Sequence, residues 1–101
     1  MHPIDQAIKD KVAGRKQELM ALSPEALRGL PLYTPEPFTA GGKPQGLGFY
    51  HDKTPKGEDI VVVQCKRRIF LGYGHMYAEG FVLDASGRIR EAEEELLWDY
   101  K

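Results

Sequence analysis

The sequence predicts an α+β domain in which a long N-terminal helix packs on an antiparallel meander of three to four strands, followed by a short C-terminal helix. Three observations carry this reading. Apolar residues between Ile4 and Leu22 recur at helical spacing, the run from Ile60 is rich in β-branched residues, and clusters of Gly, Pro and Asp separate the strand candidates.

Ile4, Ala7, Ile8, Val12, Leu19 and Leu22 fall at spacings that put them on one helical face. Pro3 suits a first helical turn and Asp5 its positive dipole end. Gly14 falls mid-helix, where it costs about 1 kcal/mol relative to Ala and predicts a bend or fraying. Ser23-Pro24-Glu25-Ala26-Leu27-Arg28-Gly29 reads as cap, short helix and glycine stop, which closes a helical region over 1–29. Residues 30–45 carry Pro31, Pro35, Pro37 and Pro44 with Gly41 and Gly42, a composition that excludes regular helix and predicts a connector crossing the sheet.

The antiparallel sheet is expected over 46–90. Gly46 to Asp52 supplies a first strand, and Lys53 to Gly57 turns the chain. Ile60 to Leu71 supplies the next, with Val61, Val63, Cys65, Ile69 and Leu71 in one phase interrupted only by Arg67. Gly72-Tyr73-Gly74 reads as a turn, and His75 to Leu83 as the returning strand. Asp84-Ala85-Ser86-Gly87 turns again, before a short strand at Arg88 to Arg90. Residues 91–101 group acids ahead of Leu96, Leu97, Trp98 and Tyr100, as expected of an acidic C-terminal helix, with a continuation of the last strand as the alternative.

Composition bounds the function classes. A chain of 101 residues with 42% hydrophobic side chains is sized for one domain, 1–101, with one core. Fourteen basic against fifteen acidic residues exclude the uniformly basic surface of a sequence-independent nucleic-acid binder. One cysteine excludes an internal disulfide and a four-cysteine zinc site. The longest strongly apolar run, Ile60 to Val63, falls far short of the roughly 20 residues of a membrane helix, so no membrane association is expected. The first residues show no signal-peptide pattern and Cys65 fits a reducing compartment, so the expected location is the cytoplasm.

Familiar motifs fail on inspection. Gly42-Lys43 lacks the earlier glycine and the following Ser or Thr of a phosphate loop, having Pro37 and Pro44 there instead. Gly46-Leu47-Gly48 and Gly72-Tyr73-Gly74 lack the third glycine of a dinucleotide fingerprint, with His51 and Tyr77 in its place. Cys65 lies on the inward phase and reads as a small buried hydrophobe. His51 and His75 on neighbouring strands are the one pair of histidines able to converge on a metal, and they alone do not make a site. No cofactor and no metal are implied.

Three constellations remain. Lys66-Arg67-Arg68 with Tyr73, His75 and Tyr77 places cations near aromatics, as a nucleic-acid or anionic ligand surface requires, although alternation splits Lys66 and Arg68 from Arg67. The acidic end, net −4 against +3 for residues 1–90, offers Trp98 and Tyr100 as anchors for a partner or as the last pieces of the core. His75, Tyr77, Glu79 and Phe81 share one side of a strand. There Glu79 serves either as a pocket carboxylate between aromatics or as a solvated residue pairing with Lys66 or Arg68 across the hairpin. The candidate binding surface is therefore Lys66, Arg68, Tyr73, His75, Tyr77, Glu79, Trp98 and Tyr100. No catalytic set is complete, so the expected function is a non-catalytic protein-binding or regulatory module acting on another protein or on a second copy of itself. The alternatives are a small-molecule or enzymatic pocket using His75, Tyr77 and Glu79, and nucleic-acid binding through Lys66 to Arg68.

Overall fold

Helix α1, Pro3–Met20, opens the chain, and the short α2, Pro24–Arg28, follows it. The computed structural model describes residues 3–69 and 72–101, with the side chains of residues 68, 69, 72 and 73 outside that description. Ser23 caps α2 as its sequence requires, its hydroxyl accepting the Ala26 N–H at 3.1 Å. Strand β1, Tyr33–Glu36, and a small hairpin of β2, Thr39–Ala40, and β3, Lys43–Pro44, come next. Then follow β4, Gly46–Lys53, β5, Asp59–Ile69, β6, Gly72–Leu83, and β7, Ile89–Glu91. Helix α3, Glu94–Leu97, and a 3₁₀ turn over Trp98–Tyr100 end the chain.

The main sheet runs β1-β4-β5-β6-β7 with every neighbour antiparallel, a meander of five strands. The added strand is β1, which comes from the stretch expected to be a connector. Proline forbids a helix there but is tolerated on an edge strand, and β1 pairs with β4 through Tyr33 opposite Tyr50 and Pro35 opposite Gly48. The glycine is needed, because a Cβ at Gly48 would lie 2.8 Å from the Tyr33 ring and 2.9 Å from the Thr34 carbonyl oxygen. Gly72 to Gly74 also departs from expectation. These residues begin β6 instead of forming the turn, and residues 70 and 71, between β5 and β6, lie outside the described residues.

One face of the sheet is covered by α1, whose Ile8, Val12 and Leu19 pack on Leu47, Phe49, Val61, Val63, Cys65, Phe81 and Leu83. Burial pushes the Cys65 thiol up to about 11, so the residue stays a protonated core side chain. The other face is apolar as well. Ile60, Val62, Ala78 and Val82 are buried beneath Leu97, with Ala92, Leu96 and Tyr100 around them. Gly80 lets this layer close, since a Cβ there would stand 2.8 Å from the Val61 carbonyl oxygen and 3.1 Å from a Leu97 methyl.

Helix α1 continues through Gly14 to Met20 without interruption. Gly14 is exposed and nothing lies within 4 Å of where its Cβ would be. Gly14→Ala is therefore expected to stabilise the fold by about 1 kcal/mol and raise Tm by roughly 4–8 °C, read by thermal unfolding under circular dichroism. An unchanged or lower Tm would mean that the helix depends on glycine at this point.

Candidate functional site

Strand β6 is twelve residues long, but β7 pairs only with its end, through Phe81, Val82 and Leu83. The last bond on that side is donated by the Ala92 N–H to the Gly80 carbonyl oxygen at 3.0 Å, after which the chain leaves the sheet for α3. In an antiparallel ladder alternate residues direct their backbone groups to alternate neighbours, so Ala78 and Met76 point the same way as Gly80. Among the described residues nothing pairs with their N–H and C=O groups on that side. The opposite edge of the sheet, β1, differs in kind. Pro35 within it and Pro37 beyond it carry no N–H, a common way of blunting an edge.

A groove of about 250 Å³ follows the open edge, lined by Lys9 and Val12 of α1, by Met76 to Glu79 of β6 and by Lys101. Charged side chains anchor its walls. The Lys16 Nζ stands 2.9 Å from Glu79 Oε1 and 2.8 Å from Glu91 Oε2, which ties α1 to β6 and β7 together. Burial works to lower the Lys16 pKa, but the hydrogen bonds to Glu91 and Glu79 outweigh it and hold the ammonium charged. At the other end, Arg67 Nη1 donates to Asp5 Oδ2 at 2.7 Å. Burial would raise the Asp5 pKa; the contacts with Tyr77 and Arg67 turn it downwards. Lys9 lies over the Tyr77 ring, 6.0 Å from its centroid, and makes no ion pair with a described carboxylate.

Part of the predicted surface comes together here. His75, exposed, and Tyr77 lie with ring centroids 6.2 Å apart, and Glu79 follows on the same side, facing α1. Glu79 pairs with Lys16, because its strand phase points towards the helix. Lys66 stands opposite Met76, in the alternate phase. The side chains of Arg68 and Tyr73 lie outside the described residues, although the two positions are paired in the ladder. Tyr100 packs on Tyr50, ring centroids 5.3 Å apart, and helps to complete the second core, while Trp98 is 65% exposed. His51 and His75 do not converge: His51 shares its row with Val61 and Phe81, six residues along β6 from His75.

His51 has another use, which periodicity does not reveal. Its Nδ1 is 2.9 Å from the Leu30 carbonyl oxygen and its Nε2 is 2.9 Å from Asp59 Oδ1. Both ring nitrogens thus face carbonyl or carboxylate oxygens. Lys53 Nζ adds a contact to Asp59 at 2.9 Å. The signals for these missed residues were gaps in apolar patterns. Lys16 fills the position between Val12 and Leu19, and Arg67 that between Cys65 and Ile69. Among the described residues no group of three or more His, Cys, Asp or Glu side chains could hold a metal ion, and no described helix is long and apolar enough to cross a membrane. Comparison with known proteins finds no matching family model, no matching curated protein and no matching solved structure.

Proposed function

We propose that the protein is a non-catalytic protein-binding module that takes an extended segment of its partner as an added strand along β6. The observation that carries the reading is the open edge at Met76 and Ala78, where backbone donors and acceptors stand ready for a ladder and β7 has already ended. Main-chain hydrogen bonds supply affinity in this mode, and side chains alternating to the two faces supply selectivity. Catalysis draws no support from Glu79, which is committed to an ion pair with Lys16.

The test is a display library of extended segments selected against the immobilised protein. Selected binders are expected to slow amide exchange at Met76 and Ala78, and to lose binding to a Met76→Pro variant. Proline fits an edge position whose N–H faces outward, so the variant should keep its fold, which circular dichroism checks. Binders that leave those amides exchanging freely, or that bind Met76→Pro unchanged, would place the contact elsewhere.

A further inference from the structure

We infer that the segment accepted by the β6 edge is acidic and belongs to another protein, not to a second copy of this chain; the inference rests on the strand-addition reading above. The groove carries a lysine on each face of the edge, Lys9 and Lys101, against one acid, Glu79, which Lys16 neutralises. On the helix side Lys9 stands over Tyr77 with no described carboxylate as its ion-pair partner. Two acids of these elements are already held, Asp5 by Arg67 at 2.7 Å and Glu79 by Lys16 at 2.9 Å. On the other side Lys101 lines the groove, paired with Glu94, whose side chain is well exposed. An exposed pair of this kind is weak and exchanges readily for another carboxylate.

An added strand alternates its side chains in the same way as β6. A residue opposite Tyr77 falls beneath Lys9, and one opposite Ala78 falls on the side of Lys101. Acidic side chains on either face therefore meet a cation, and basic ones meet repulsion. A second copy fits less well. Pairing two β6 edges about Met76 sets His75 of each copy opposite Tyr77 of the other. Both α1 helices then lie on the same face of the joined sheet, and the Lys9 over each Tyr77 brings like charge towards the seam.

The experiment uses the full chain and two labelled peptides of about eight residues, one alternating threonine with glutamate and the other threonine with lysine, a length that covers the edge. Fluorescence anisotropy at low salt is expected to show the glutamate peptide binding, weakening as salt is added, and failing on Met76→Pro. Lys9→Glu is expected to weaken it by about fivefold, the size of one exposed ion pair, with the thermal unfolding curve unchanged. Equal binding of both peptides, still lost on Met76→Pro, would overturn the acidic preference while leaving strand addition in place. Binding of neither would overturn both. A dimer in sedimentation equilibrium that Met76→Pro dissolves would assign the edge to a second copy and overturn the inference.

Discussion

Deleting residues 92–101 is expected to cost the domain its cooperative fold. The deletion removes Leu97, Leu96, Ala92 and Tyr100 and opens Ile60, Val62, Ala78 and Val82 to water. The loss is roughly 5 kcal/mol or more from side-chain burial alone, against a typical total stability of about 5–15 kcal/mol. It also takes away the Ala92 N–H that bonds Gly80, and the Gln64 amide loses its acceptor at the Tyr100 carbonyl. The single substitution Leu97→Ala should cost about 2–4 kcal/mol, measured by urea unfolding with far-ultraviolet circular dichroism. A truncated chain that unfolds at the same denaturant midpoint as the whole one would instead make the acidic end a detachable docking segment, with the exposed Trp98 as its anchor.

Asp59→Ala should have the second-largest effect, about 3 kcal/mol, because it strands His51 with one ring nitrogen facing nothing and removes the acceptor of Lys53. Asp59 is buried, and burial alone would raise its pKa. Hydrogen bonds from His51 and Lys53 reverse that and hold the carboxyl below its ordinary 3.8. A carboxyl whose folded value lies below its unfolded value binds protons more tightly when unfolded. Its stabilisation is therefore fully present above the ordinary carboxyl range and is lost as pH falls through the folded value. The urea midpoint of the parent chain should accordingly drop as pH falls below about 5, and the drop should be smaller in Asp59→Ala. Glu58 and Glu93, both lowered by Arg90, and Asp84, lowered by Ser86 and the Arg88 amide, add to the same acid limb in the variant as in the parent. An identical pH slope in the two proteins would remove Asp59 as a contributor.

The alternation along β6 shows why the sequence was ambiguous at the site. Tyr77, Phe81 and Leu83 form one apolar phase, and Met76, Ala78 and Val82 form the other. Both phases read as core because both faces of the sheet are covered, one by α1 and one by the C-terminal turn. Only packing decides that Glu79 looks towards Lys16. The same applies to the open edge. A short strand after Asp84 to Gly87 was legible, but where β7 stops against β6 depends on Ala92 leaving the sheet for α3, and that depends on the second core.

What the sequence determined by itself were most of the elements and their order, β1 and the small β2–β3 hairpin excepted: a helix from Pro3, a capped second helix at Ser23, an antiparallel meander and an acidic helical end. These follow from local causes, namely periodicity, caps and turn chemistry, which act between residues a few positions apart. The tertiary structure alone decided which charged residues meet. Lys16 joins Glu79 and Glu91, Arg67 joins Asp5, and His51 joins Asp59. Those pairs come from different elements, and each forms only after register and helix placement bring its members within a few ångströms. It also decided that one sheet edge is blunted by proline while the other, among the described residues, stays open, because an edge exists only once every strand has found its neighbour.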